Sequence, residues 1–152
     1  MRNRTRVAVA TLTVTAAAVL GTANFEGFSG KTYRDPVGTP TIGFGETKNV
    51  AMGQTITREA ATKLLGERVE EHAKGMSQCI HVPISQDEFD AYADFTYNVG
   101  VGAFCRSGLA KKLNAGDYAG ACQDLLKWVY AGGQVLPGLV TRRREEFAKC
   151  SG

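Results

Sequence analysis

Apolar residues in the later two thirds of the chain recur at helical spacing, and glycines separate the segments that carry them. Helices are predicted over about residues 57–76, from the capping box at Ser85 to Glu88 onward, and over about 107–114. Two more are predicted over 117–130 and from about Thr141. The pattern contains no internal repeat and no long linker, so it predicts one predominantly helical body.

Glycines are expected to end two of these helices. Gly100 and Gly102 are interpreted as the end of the helix that the capping box opens. Gly132 and Gly133 are interpreted in the same way, as the stop signal of the helix over 117–130.

The segment over residues 31–47 has a different pattern. Its "DPVG" and "GTP" runs impose turns, while Tyr33, Thr41 and nearby apolar residues favour extended backbone. We therefore expect an α+β fold, with a small β-hairpin region beside the helical body and a cleft between them.

An uncharged, apolar run covers residues 7–23, directly after Arg2, Arg4 and Arg6. Basic residues followed by an apolar run are typical of an export signal or a membrane anchor. As a helix the run would be about 25 Å long against a hydrocarbon core of about 30 Å, so it would be a marginal anchor. The alternative is a signal peptide cleaved before Asn24, after the small residues "GTA".

Composition and charge bound the class of protein. The 152 residues, 43% hydrophobic and 22% charged, suit one globular domain. The net charge of +3 comes from the three N-terminal arginines, which leaves fifteen basic and fifteen acidic residues from Val7 onward. A protein that binds a nucleic-acid duplex needs an excess of basic residues on the domain itself, so we expect no nucleic-acid partner.

Four cysteines follow the apolar run, at Cys79, Cys105, Cys122 and Cys150. An even number in an exported chain indicates two disulfides, and the wide spacing argues against zinc ligands, so no metal is expected. Three connectivities are open from sequence. We expect Cys79–Cys105 and Cys122–Cys150, each of which closes a loop of moderate length.

Two carboxylates and a hydroxyl lie within sixteen residues of one another, at Glu26, Asp35 and Thr41. Glu26 is expected near a helix end and Asp35 on a turn, and carboxylates in different environments are suited to acid and base chemistry. Phe28 and Tyr33 are candidates to stack on a substrate. The basic run at residues 141–145 is expected to form ion pairs within the fold rather than to bind an anionic glycan.

The spacing of Glu26, Asp35 and Thr41 resembles the catalytic triad of phage-type lysozymes, family 24 of the glycoside hydrolases. The resemblance continues through "DPVGTPTIGFGET", "YNVG", "LNAGDY" and "GLVTRRREEFAKC", so it covers nearly the whole exported chain. It implies hydrolysis of the β-1,4 bond between N-acetylmuramic acid and N-acetylglucosamine in peptidoglycan, without a cofactor or metal.

The resemblance and the residues together suggest roles in an inverting reaction. Glu26 follows an apolar segment and is the expected general acid. Asp35 lies in a polar turn beside Arg34 and is expected to orient a water molecule. The hydroxyl of Thr41, which both donates and accepts hydrogen bonds, is expected to hold that water. The alternatives are a lytic transglycosylase and a non-catalytic peptidoglycan-binding module.

The apolar run beside this loop resembles the signal-anchor-release segments of certain phage endolysins. Residues 1–23 would then form that segment and 24–152 the catalytic domain. The resemblance implies an enzyme tethered in the host inner membrane through residues 7–23, inactive and facing the periplasm. Once released, it is expected to be an active periplasmic monomer in which residues 7–23 fold on the domain as the helix that positions Glu26.

Overall fold

The computed structural model describes residues 4–152. This part of the chain contains seven α-helices and two antiparallel two-stranded sheets, which confirms the α+β class. In chain order the elements are α1 (Ala16–Glu26), β1 (Ser29–Arg34), β2 (Pro40–Gly43), α2 (Arg58–Ser77), α3 (Gln86–Val99), α4 (Val101–Arg106), α5 (Gly108–Asn114), α6 (Tyr118–Leu125), β3 (Tyr130–Ala131), β4 (Gln134–Val135) and α7 (Pro137–Ser151).

The chain forms two compact units. One contains Ala16–Arg68, and the other contains residues 4–15 together with Val69–Gly152. All three residues of the candidate triad lie in the first unit.

The smaller unit is built on the β1–β2 hairpin. Tyr33 pairs with Thr41 and Arg34 with Pro40, and the register shifts between Ser29 and Tyr33. Gly43 ends β2 with a φ of +65°, and a Cβ there would lie 3.0 Å from the Cβ of Ala61 on α2. The close approach of β2 to α2 therefore depends on this glycine.

The larger unit has α3 at its centre. Phe89, Tyr92 and Phe95 on α3 are at most 1% exposed, and α3 packs against α7. The predicted capping box is present, since the Ser85 side chain accepts from the Glu88 N–H and the Glu88 carboxylate accepts from the Ser85 N–H. These bonds satisfy backbone donors that the first turn of a helix leaves unpaired.

Two helix boundaries and the position of one glycine differ from the sequence-based expectation. The helix expected over 117–130 ends at Leu125, and Gly132 and Gly133, which both have positive φ, form the two-residue turn of the β3–β4 hairpin instead of the helix stop. The last helix begins at Pro137, four residues before the expected start. Gly100 does end α3, but Gly102 lies inside α4.

The larger unit holds both disulfides, Cys79–Cys105 and Cys122–Cys150, which are the expected pairs. Two arginines of the basic run at 141–145 are buried in polar contacts. Arg142 donates two hydrogen bonds to Asp94, and Arg143 donates one to Asn98. These contacts agree with the expected structural role of the run.

The sequence predicts one helix over residues 7–23, and this prediction is wrong. Val7 pairs with Ile84 in an isolated antiparallel bridge, a 3-10 turn covers Val9–Thr11, and α1 begins only at Ala16. The helix that leads to Glu26 therefore uses only the second half of the run. Among the described residues, no helix is both long enough and apolar enough to cross a membrane.

Candidate active site

Glu26 is the last residue of α1, and its side chain is half-buried. The alanine-rich sequence of α1 favours a helix. The next residue, Gly27, has a φ of +69°, a left-handed conformation that commonly terminates helices and that glycine adopts without strain. The helix end, fixed by Gly27, therefore sets the position of the Glu26 carboxyl.

Asp35 opens the turn between β1 and β2. Its C=O accepts from the Gly38 N–H at 2.9 Å, which closes a four-residue turn with Pro36 in second place. Its Oδ1 accepts from the backbone N–H groups of Val37 at 3.0 Å and Thr39 at 2.8 Å. One carboxylate oxygen thus holds the turn, while Oδ2 makes no hydrogen bond to a described protein group.

Thr41 lies on β2 and is 4% exposed. Its hydroxyl donates to the C=O of Thr39 at 2.9 Å. With its hydrogen directed to that carbonyl, the Thr41 oxygen keeps its lone pairs as acceptors. The orientation of the hydroxyl is thus fixed by the hairpin backbone.

Thr39 joins Asp35 to Thr41. Its C=O accepts both the Asp35 N–H at 3.0 Å and the Thr41 hydroxyl, and its N–H donates to the Asp35 carboxylate. The sequence did not single out this residue, because its contribution comes from backbone groups that every non-proline residue has. The structure brings Asp35 and Thr41 together through one residue of the hairpin.

Neighbouring segments support the hairpin. The Ile56 N–H donates to the C=O of Gly30 at 2.9 Å, and Lys31 pairs with Thr55. Arg68 on α2 forms an ion pair with Glu46 at 2.9 Å. These contacts hold both sides of the hairpin, so Asp35 and Thr41 lie on an element whose position is fixed by its neighbours.

The two candidate stacking residues have different surroundings. The ring of Phe28 packs against Phe44, with 5.3 Å between centroids, and the guanidinium of Arg58 lies 4.5 Å from its centroid. Tyr33 is 43% exposed. Phe28 is therefore engaged in internal packing, whereas the Tyr33 ring is accessible from solvent. Stacking on substrate by either residue stays a prediction.

The described residues contain no group of three or more His, Cys, Asp or Glu side chains arranged to hold a metal ion. The side chains of Glu26, Asp35 and Thr41 can perform two kinds of chemistry. A carboxyl group can transfer a proton, and a carboxylate with a hydroxyl can orient water.

Known proteins resemble this chain over most of its length. The family model described as phage lysozyme matches residues 23–146. The chain is 36% identical to the SAR-endolysin of Bacteriophage PS119, over 99% of this chain and 93% of the relative. It is 37% identical to the SAR-endolysin of Enterobacteria phage P21, over 95% of this chain and 87% of the relative.

Solved structures give the same result. A P22 lysozyme mutant is 32% identical with a TM-score of 0.86, and the match covers 93% of this chain and 99% of the other. The endolysin from Escherichia coli O157:H7 phage FAHEc1 is 33% identical with a TM-score of 0.81, covering 91% and 93% of the two chains. By sequence and by fold, the chain belongs to the phage lysozyme family.

Proposed function

We propose that the protein is an endolysin that hydrolyses the β-1,4 bond between N-acetylmuramic acid and N-acetylglucosamine in peptidoglycan, with Glu26, Asp35 and Thr41 as its catalytic residues. Membership of the phage lysozyme family supports a glycoside hydrolase. The observation that carries the assignment of residues is the hairpin in which the Thr39 backbone joins Asp35 to Thr41.

Glu26 supplies the proton. Cleavage of a glycosidic bond leaves an alkoxide, which is a poor leaving group until its oxygen is protonated. As the C–O bond breaks, the Glu26 carboxyl transfers its proton to that oxygen, and the sugar carbon gains oxocarbenium character. Glu26 is left as a carboxylate and recovers its proton from solvent.

Asp35 and Thr41 deliver the water. A water molecule between them donates one hydrogen bond to Asp35 Oδ2 and the other to Thr41 Oγ1, which keeps lone pairs because its own hydrogen is bonded to Thr39. A lone pair of the water then points away from both residues, toward the sugar carbon. Attack on the face opposite the leaving group inverts the configuration, and Asp35 accepts the released proton.

The first test is hydrolysis of purified peptidoglycan by the released wild-type protein and by Glu26→Gln. We expect new reducing ends from the wild type and none above background from the variant, because an amide cannot serve as the acid. Circular dichroism should show that the variant is folded. Wild-type activity in Glu26→Gln would refute the assigned mechanism.

The products separate hydrolysis from the alternatives. A hydrolase leaves a reducing N-acetylmuramic acid, whereas a lytic transglycosylase leaves a 1,6-anhydro end. Binding of peptidoglycan without any cleavage would instead indicate a non-catalytic module. Either result would overturn the proposed reaction.

We also propose that residues 7–23 tether the enzyme in the host inner membrane, inactive and facing the periplasm, until it is released and acts there as a monomer. Support comes from relatives that are named SAR-endolysins and that match 95–99% of this chain. The structure adds a physical argument against cleavage. A cut after Ala23 would remove eight of the eleven residues of α1, which ends in Glu26.

The N-terminus of the soluble, active enzyme tests this proposal. Mass spectrometry of protein from lysing cells should find residues 7–23 still attached. An active enzyme that begins at Asn24 would show that the run is a cleaved signal.

A further inference from the structure

Residues 4–15, here called the N-terminal strap, lie against the rest of the larger unit through specific polar contacts. Arg4 is bound at the C-terminal end of α7. Its guanidinium donates to the C=O groups of Lys149, at 2.6 Å, and Cys150, and it lies 3.6 Å from the Asp87 carboxylate. The last carbonyls of a helix have no partner inside the helix and carry partial negative charge, so Arg4 acts as a cap supplied from a distant part of the chain.

Arg6 makes the second contact. Its Nε lies 3.2 Å from both oxygens of Glu88, and its Nη2 donates to Oε1 at 2.7 Å. The guanidinium also lies 3.6 Å from the centroid of the Tyr118 ring. The planar guanidinium fork suits both the carboxylate and the ring face, and a lysine ammonium cannot reproduce that arrangement.

Glu88 has little access to water, since it is 1% exposed. Its carboxylate accepts the Ser85 N–H as part of the capping box, and its other partner is Arg6. A buried carboxylate without a neighbouring cation destabilises the folded protein, because the charge has lost its hydration. The fold of α3 therefore provides a prepared binding site for an arginine.

The rest of the strap follows the same surface. The backbone groups of Val7 and Ile84 exchange two hydrogen bonds of 2.9 Å. The Val14 N–H donates to Glu70 at 2.9 Å, and Thr15 donates to Asp90 through its N–H at 3.1 Å and its hydroxyl at 2.7 Å. We call the receiving carboxylates the acidic seat; they are Glu70, Asp87, Glu88 and Asp90.

These contacts exclude a membrane-spanning arrangement of the same residues. If residues 7–23 cross the inner membrane, Arg4 and Arg6 stay on its cytoplasmic side, while the acidic seat lies in the periplasm. The strap can dock only after the run has left the bilayer. The acidic seat of the tethered protein therefore lacks both arginines.

We propose that the N-terminal strap is a latch: after release, Arg4 and Arg6 bind the acidic seat and keep the enzyme from returning to the membrane. This inference rests on the proposed release of residues 7–23. It gives the three-arginine terminus a second role, because Arg4 and Arg6 help to orient the anchor before release and hold the strap on the domain afterwards.

The test uses the full chain with Arg4→Lys and Arg6→Lys together. Lysine keeps the positive charge that orients a membrane segment but loses the planar fork. The matched control is Arg144→Lys, at an exposed arginine on α7. Hydrogen exchange is followed at the Val7 and Ile84 N–H groups, each of which donates to the C=O of the other residue. Return to the membrane is followed by sedimentation with vesicles of phosphatidylethanolamine and phosphatidylglycerol.

In the double lysine variant we expect hydrogen exchange at these two N–H groups to be about ten- to a hundredfold faster. This factor corresponds to the stability lost when charge-assisted hydrogen bonds are weakened. A larger fraction should also sediment with vesicles, while Arg144→Lys should match the wild type. Glu88→Gln, which weakens the seat and keeps a side chain able to accept in the capping box, should have the same effect as the lysine variants. Unchanged exchange and unchanged sedimentation in the double lysine variant would overturn the latch.

Failure of the latch and failure of the proposed function give different results. If the wild type does not cleave peptidoglycan, the proposed function fails, and hydrogen exchange still decides whether the strap docks through its arginines. If the wild type cleaves peptidoglycan and the lysine variants behave like it in both assays, only the latch fails.

Discussion

Asp35 has two separable roles, because its two carboxylate oxygens have different partners. Oδ1 accepts the N–H groups of Val37 and Thr39 and so belongs to the turn, whereas Oδ2 is the oxygen we assign to water. An asparagine can keep the first role, since its amide oxygen accepts the same two N–H groups. It cannot accept the proton that the attacking water loses.

We therefore expect Asp35→Asn to fold with a melting temperature close to that of the wild type, with kcat lower by about two to four orders of magnitude. Asp35→Ala should lose both properties, because the turn also loses its acceptor. Reducing-end kinetics and thermal unfolding of the two variants test this separation. Equal destabilisation by both substitutions would show that the charge of Asp35, and not only its Oδ1, supports the turn.

Glu146 on α7 is a buried carboxyl outside the candidate site. It is 4% exposed, and Arg143 Nε lies 3.0 Å from its Oε2. Burial raises the pKa of Glu146 to about 10, from an ordinary value of 4.5. Between these two values the folded protein holds a proton that the unfolded chain has released. Stability from this group is therefore complete below the lower value and is lost as the pH rises toward the upper one.

Glu146→Gln removes this dependence. The difference in free energy of unfolding, variant minus wild type, should increase between about pH 5 and pH 10, by at most about 1.4 kcal/mol per pH unit. Glu145→Gln, at the exposed neighbour, should give a difference that does not change with pH. Urea unfolding at several pH values measures both. A loss of stability in Glu146→Gln that is equal at every pH would mean that Glu146 is ionised in the folded protein.

At the scale of elements, α1 and its terminating glycine determine where Glu26 lies. Gly27 has a φ of +69°, and Gly21 lies inside the helix, where an added Cβ would have no atom within 4 Å. Alanine in place of Gly27 is disfavoured by about 1–2 kcal/mol, because of the positive φ. Alanine in place of Gly21 is favoured by about 0.5–1 kcal/mol, because that residue lies inside a helix.

Gly27→Ala should lower both the melting temperature and kcat, because relief of the strain moves the end of α1. Gly21→Ala is the matched control and should raise the melting temperature without loss of activity in the released enzyme. Differential scanning calorimetry and reducing-end assays on both variants provide the comparison. A Gly27→Ala enzyme as stable and active as the wild type would show that the left-handed residue does not set the position of Glu26.

The elements that sequence predicted well have local signals. The capping box of Ser85 and Glu88 located the start of α3, and the turn residues around Asp35 located the β1–β2 hairpin. Glycine pairs were ambiguous, because the same residues end a helix or form a hairpin turn. The sequence pattern predicts a helix stop at Gly132 and Gly133, whereas their two positive φ values build the β3–β4 turn. Pro137 lies in the first turn of α7, a position where proline is favoured, so the sequence does contain a signal for the start of this helix.

The sequence proposes the residues of the candidate site but not the hydrogen bonds that connect them, and the catalytic roles of those residues stay a prediction. Glu26, Asp35 and Thr41 were identified by their spacing, whereas the bridging role of Thr39 depends on backbone hydrogen bonds that no side-chain pattern encodes. The first half of the apolar run was assigned to a helix because apolar composition alone does not reveal tertiary contacts. The bridge from Val7 to Ile84 and the bonds from Val14 and Thr15 to acidic side chains hold that half in a different conformation.

For the molecule as a whole, the proposed tether requires α1 to suit two environments. In the folded protein Ala18, Thr22 and Ala23 are buried, whereas Ala16, Ala17 and Leu20 are exposed. A surface helix usually carries charged residues on its exposed face. Helix α1 carries no charged residue before Glu26, and the absence of charge suits a segment that is also proposed to lie in lipid. Under the proposed tether, the small side chains of α1 keep its preference for the membrane weak, so that release is favourable.

The exposed face allows the strength of the anchor to be changed without altering the folded protein. Ala16→Leu with Ala17→Leu should increase the preference for the membrane by about 1 kcal/mol in total, and neither site lies in the buried face of α1. Lysis should be delayed and more protein should remain with the membrane fraction, while the released variant cleaves purified peptidoglycan at the wild-type rate. Ala16→Ser with Ala17→Ser, the matched control, should weaken the anchor and advance lysis. If the leucine and serine variants lyse cells at the same time, the apolar character of α1 does not control release, and the proposed tether is wrong.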